Sequence, residues 1–284
     1  MIAEFVASWA LFGDTYLAAW AIAGLLSLVG VWVVARDQIF LGAAVSQAST
    51  LGTAVALWLG GIGSLHALEN ESVTFAFAVF ASIATVLIST RAPGPKRSES
   101  PEAITGWVFL VGGSLPVILM THDPHGLEEV HRLLFSSILG ASRVDVWLFA
   151  GLFVASGVGV ALRHRHLVLY AMDPELAAAV GLSGRGWRWG TAAWLGTAVG
   201  LAIHSAGMIY TFGCLVLPAL IARNLCREVR SMFWVAPMVG VLGAIASFVV
   251  AHHLDVPPGQ LSVAVLSALF AAAWASRGLR SRRP

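Results

Sequence analysis

Nine stretches of mostly apolar residues follow one another along this chain, and no other feature limits its fold so severely. They run from Leu17 to Val34, Ile39 to Leu59, Val73 to Thr90, Ile104 to Met120, Val144 to Leu162, Trp187 to Ile203, Ala206 to Ala222, Phe233 to Ala251 and Leu261 to Trp274. Each is near the ~20 residues that a helix needs to cross a hydrocarbon core. In lipid a backbone amide or carbonyl must find its partner inside the protein, which helices of this length achieve within themselves. The expected fold is therefore an all-α polytopic membrane protein of about eight to nine transmembrane helices, in a single domain over residues 1–284. The count is nine, or eight if the sixth and seventh stretches, separated only by His204 and Ser205, form one broken helix.

Composition excludes the soluble alternative. Hydrophobic residues make up 58% and charged residues 11% of the 284, against about 45–50% and about 25% in an average soluble domain. Cys214 and Cys226 lie in or at the end of an apolar stretch, which suggests neither a disulfide framework nor a cysteine-based zinc site. The first stretch lacks the basic flank of a secretory signal and is expected to be a retained helix.

Charge sets the expected orientation, because Lys and Arg in short loops collect on the cytoplasmic side. Arg36, the Arg91–Arg97 loop, Arg163, Arg165, Arg185, Arg188, Arg223, Arg227, Arg230 and the Arg277–Arg283 tail fall on one side, and only Arg132 and Arg143 on the other. The C-terminus is thus expected in the cytoplasm and the N-terminus outside. A net charge of +2, spread along membrane borders, gives no footprint for nucleic acid.

Three connections carry information. Residues Arg91 to Pro101 (RAPGPKRSESP) read as a cytoplasmic linker too short for a domain. Gly126 to Gly140 reads as an amphipathic outer helix, with Leu127, Val130, Leu134 and Ile138 at helical spacing. Between Arg163 and Arg188, Asp173 can cap a helix that starts at Pro174, with Glu175 in its first turn and Gly181 as its left-handed stop. A helix of about two turns does not persist alone in water. It either lies on its own membrane domain or docks another protein.

The chain carries no motif for ATP hydrolysis of its own, since its one lysine, Lys96, stands in APGPKRS and not after a phosphate-binding glycine loop. Buried carboxylates of the kind proton-coupled carriers use are also lacking: Asp145 is the one acid in a stretch, near its end. Neither HExxH nor GxSxG occurs, so an intramembrane enzyme is not expected.

With the spans and loops in place, the residues resemble a known family: the permeases of bacterial zinc- and manganese-uptake systems, within the ATP-binding-cassette importers. The resemblance covers nearly the whole chain. It rests on VVARDQIFLGAAVSQASTLG (Val33 to Gly52), LLFSSILG (Leu133 to Gly140), MDPELAAAVGL (Met172 to Leu182), SAGMIYTFGCLVLPALIAR (Ser205 to Arg223) and LDVPPGQL (Leu254 to Leu261), in that order. One departure is plain. Where the family usually has Gly-Asp, then His, then Pro-Gly in the second helix, this chain has Gly42-Ala43, Gln47 and Leu51-Gly52.

The resemblance implies a permease subunit in the bacterial cytoplasmic membrane that passes a divalent metal (zinc, manganese or iron) as substrate and binds no cofactor. It implies partners: a separate cytoplasmic ATPase, an external metal-binding protein, a second permease chain, identical or similar, and the surrounding lipid. Asp173, Pro174, Glu175, Leu176, Ala177 and Gly181 would form the helix that couples to the ATPase. Alternatives are a permease for a metal chelate or other small solute on the same scaffold, and a membrane scaffold subunit with no transport path.

Several polar residues admit two readings. Ser46, Gln47, Ser49 and Thr50 either let helices pack closely or line a path, where weak amide and hydroxyl contacts would allow release. His204, at the break between the sixth and seventh stretches, is a further path candidate. On the outer side, His122, Asp123, His125 and His131, with His252 and His253, are either solvated or metal-binding.

Overall fold

The computed structural model describes residues 2–61, 70–90, 100–121, 128, 138–182 and 184–281, and among them there are helices and turns but no strand. The helices are α1 (Ile2–Ala35), α2 (Ile39–Gly61), α3 (Glu71–Ser89), α4 (Pro101–Met120), α5 (Arg143–Met172), α6 (Pro174–Ala179), α7 (Gly184–Ala206), α8 (Met208–Leu225), α9 (Val229–Leu254) and α10 (Pro258–Ser281), with a 3-10 turn at Ile138–Gly140. Eight of the described helices are long and apolar enough to cross a membrane. The chain is a multi-pass membrane protein. The remaining long helix, α7, begins GRGWRW and is not among these eight.

All nine apolar stretches coincide with helices, but one boundary moves. His204 and Ser205 continue α7, and the break falls at Gly207, whose φ of +76° is open to glycine and costly for other residues. Its amide still caps α7 by donating to the Ile203 carbonyl at 2.8 Å. Asp145 is not a membrane-buried acid but a cap: the Ser142 hydroxyl and the Asp145 carboxylate bond each other's backbone amides in a capping box at the start of α5. Pro116, Pro218 and Pro237 lie inside α4, α8 and α9. Of the outer amphipathic segment expected over Gly126 to Gly140, only residue 128 and the 3-10 turn are among the described residues.

The helices group into two compact units through which the chain passes alternately. The first comprises Met1–Asp37, Ser137–Ala177 and Ile209–Pro284. Its centre is α1, apolar on all sides, as befits a helix surrounded by others. Ile22, Leu25, Leu26, Val29 and Trp32 are fully buried there. Packing is close enough that glycine is required at Gly30, where an added Cβ would overlap the backbone carbonyl of Leu215 on α8. The polar groups of this core bond helix carbonyls: Ser27 Oγ donates to Ala23 and Cys214, and Tyr210 Oη to Ala19 at 3.0 Å. At the end of α1, Asp37 turns the chain with a left-handed φ of 53° and pairs with Arg223. Beside it Arg36 lies over the Trp32 and Tyr170 rings and donates to the Tyr170 carbonyl. Burial pushes the Arg36 guanidinium below its ordinary value, against an opposing pull from Tyr170.

The second unit comprises Gln38–Ser136 and Ala178–Met208. Here α2 is the central helix and packs on α3, α4 and α7. Its buried side is small and polar (Gly42, Ser46, Ser49, Thr50, Thr53), which brings backbones together where apolar bulk gives no advantage over lipid.

Candidate functional site

The four polar residues singled out on α2 do not behave alike. Ser46 Oγ donates to the Gly42 carbonyl at 2.9 Å, and Thr50 Oγ1 to the Ser46 carbonyl at 3.4 Å, so both hydroxyls are satisfied on their own helix. Ser49 reaches across to the Gly200 carbonyl of α7 at 3.5 Å and ties the two helices. All three hydroxyls are thus bonded to helix carbonyls.

Gln47 differs. It is 8% exposed, and among the described residues nothing bonds its Oε1. A buried amide oxygen left in this state costs about 1–3 kcal/mol. Its side chain lies against the glycine pair of α4. A Cβ at Gly112 would sit 2.9 Å from the Gln47 Cβ, and one at Gly113 would sit 3.6 Å from its Oε1. Gly112 thus lets α4 approach the Gln47 backbone, and Gly113 lies in ordinary contact range of the amide. Sequence reasoning did not find this pairing, although a Gly-Gly step inside an apolar helix is the mark of a close approach.

His204 lies on α7 of the same unit, with its ring tilted against Phe75 at a centroid distance of 4.0 Å. On the other unit, His252 and His253 are exposed at the end of α9, and His252 meets Phe5 edge-on at 6.0 Å. His122, Asp123, His125 and His131 lie outside the described residues. Among those described, no three His, Cys, Asp or Glu side chains gather where they could hold a metal ion.

The short loop helix forms as its caps require. Asp173 leaves helical geometry at φ −146°, its Oδ1 accepts from the Leu176 amide at 2.9 Å, and its carbonyl accepts from the Ala177 amide at 3.0 Å. Eight residues after Asp173, Gly181, at φ +85°, ends the segment. Within it Ala177 is buried, yet Leu176 is 49% and Val180 61% exposed. Two sizeable apolar side chains one turn apart are thus left uncovered on a charged loop.

The family model described as the ABC 3 transport family matches residues 9–277. The chain is 27% identical over 253 residues to the manganese transport system membrane protein MntB of Synechocystis sp., covering 88% of this chain and 78% of that one. It is 22% identical over 244 residues to the chelated iron transport system membrane protein YfeD of Yersinia pestis, covering 86% and 77%. Among solved structures, PsaBC from Streptococcus pneumoniae in complex with Fab shares the fold, with a TM-score of 0.79 at 21% identity over 96% of this chain and 95% of that one.

Proposed function

The chain belongs to the ABC 3 transport family, and from that premise we propose that it passes a divalent metal ion, manganese or iron ahead of zinc, into the cytoplasm. It is the membrane-spanning permease subunit of an ATP-binding-cassette importer and not an enzyme; ATP is hydrolysed on a separate chain. Residues 1–284 act as one permease domain in the bacterial cytoplasmic membrane, with the C-terminus inside. A second permease chain completes the path, and an external protein delivers the metal.

The observation that carries the coupling is the exposed pair Leu176 and Val180 on a helix bounded by Asp173 and Gly181. Apolar side chains in an aqueous loop gain by burial against a partner, about 25 cal/mol for each Å² covered. The ATPase is that partner: its closure on ATP pulls Asp173, Pro174, Glu175, Leu176 and Ala177 as one rigid piece.

For the cargo, Gln47 carries the reading. Its unbonded Oε1 is a neutral oxygen donor where the family usually has imidazole, and oxygen donors suit manganese while imidazole suits zinc and iron, so this position favours manganese and iron rests on the chelated-iron relative. Ser46, Ser49 and Thr50 on the same helix and His204 on α7 are further path candidates. Gln47→His is expected to shift preference toward zinc. Gln47→Leu is expected to lower uptake about tenfold without loss of the ATPase, the size of effect that loss of one ~1–3 kcal/mol contact gives. Metal competition assays read both. Unchanged rate and preference in the two variants would reduce Gln47 to a packing residue.

Orientation has its own test. In a chain with Cys214 and Cys226 replaced by Ser, a cysteine at Ser98 or Ser281 should be shielded from an impermeant thiol reagent in intact cells, and one at Ser64 should react. Labelling at Ser98 or Ser281 from outside would reverse the topology.

A further inference from the structure

In the first unit α5 and α9 both pack on α1 and only graze each other. Between them lies a cleft of about 790 Å³ with Leu28 of α1 on its lining. Val154 and Val158 of α5 and Trp234, Met238 and Leu242 of α9 form its apolar walls, and all five are exposed. Gly157, His164 and Arg230 also line it.

These two polar residues share one end. Helix α1 brings Gly24 beside Phe153 and Arg36 beside Tyr170, so α1 and α5 run parallel. The Tyr16–Phe248 and Ser27–Gly240 contacts show that α9 runs the opposite way. His164, late in α5, and Arg230, in the first turn of α9, therefore lie at the same level, on the side that also holds Arg36. Arg163 and Arg165 flank His164 and are exposed. From Arg230 the apolar wall of α9 extends to Leu242, about 18 Å at 1.5 Å per residue. That is slightly more than half of a hydrocarbon core about 30 Å thick, the depth of one leaflet.

We propose that this cleft is a binding site for an anionic phospholipid, with an acyl chain along Val154, Val158, Trp234, Met238 and Leu242 and the headgroup phosphate on Arg230 and His164. A guanidinium binds a phosphate diester through paired, charge-assisted hydrogen bonds. The apolar length selects a lipid over a free phosphate. Charge also disfavours a second copy of this chain as the occupant. In a two-fold pair about the membrane normal a patch meets itself at the same depth, so Arg230 would face Arg230 in a dry seam. That the basic end is cytoplasmic rests on the orientation proposed above; the site's preference for an anionic headgroup does not, and its test reads no transport.

Gly157 offers a way to close the cleft, because a Cβ there would meet nothing within 4 Å. The purified transporter, permease with its ATPase, is mixed with equal phosphatidylglycerol and phosphatidylcholine, and retained lipid is read by native mass spectrometry. The wild type is expected to retain phosphatidylglycerol about fivefold over phosphatidylcholine, the preference that one basic residue near a surface gives. Arg230→Gln should bring that ratio close to one, and Gly157→Phe should lower retention of both lipids. Should Gly157→Phe not assemble, Val158→Trp blocks the same cleft from an exposed position. Equal retention of the two lipids by the wild type, or an unchanged ratio in Arg230→Gln, would overturn the proposal. So would a blocking variant that keeps its lipid, and one that keeps its lipid but separates the permease chains would mark the cleft as a seam between copies.

Discussion

Replacing Glu175 and Leu176 together by glycine is expected to abolish metal uptake and to strip the ATPase from the purified permease, while the chain still inserts in the membrane. The helix they belong to spans only Pro174–Ala179. Each glycine costs about 1 kcal/mol of helix stability relative to alanine. So short a helix has no reserve, since nucleation already exceeds what two turns return. The same change removes Leu176, half of the exposed apolar pair. Asp173→Ala isolates the capping contribution: it removes the acceptor of the Leu176 amide, costs about 1 kcal/mol, and should weaken coupling while Leu176 remains. Uptake and ATPase co-purification at wild-type levels in the double-glycine variant would refute the coupling role.

Gly30→Val should have the largest effect on folding. A Cβ at this position overlaps the Leu215 carbonyl, so the clash is with backbone and not with a side chain that can turn away. Overpacking a core costs about 1–3 kcal/mol and occasionally more. Separation of two central helices belongs at the upper end of that range. The thermal midpoint of the purified chain should fall sharply, and most of the protein should run as aggregate on size exclusion. Gly151→Ala is the control, because a Cβ there meets nothing within 4 Å, and its midpoint should match the wild type. A wild-type midpoint for Gly30→Val would show that α1 and α8 do not approach as described.

These effects differ in how far the sequence discloses them. The α6 segment was legible because its determinants are local: Asp173 caps a helix and Gly181 supplies a positive φ within the segment itself. The spans were legible because lipid permits few backbone solutions. The break after α7 was misplaced onto His204 and Ser205 because polar residues were read as an interruption. In the folded chain the His204 ring packs at a tilt against Phe75, the helix continues, and the backbone freedom of Gly207 decides where it stops. The close approach of α4 to Gln47 was not legible, since it depends on Gly112 of another helix. Nor was the division into two units, which alternate along the chain. Local chemistry survives in a single sequence, while pairing between distant helices does not.

Single substitutions report on single residues, whereas coupled movement of metal through this chain is a property of the assembled transporter. The permease and its ATPase, reconstituted in vesicles with the external binding protein supplied in the compartment facing the outer loops, provide the direct test. Radioactive manganese should accumulate on the cytoplasmic side only when ATP is present there, and the double-glycine variant at Glu175 and Leu176 should leave it at the level seen without ATP. Accumulation of manganese, iron and zinc that is equal with and without ATP, in vesicles that hold the assembled complex, would contradict the assignment of this chain as a metal-importing permease.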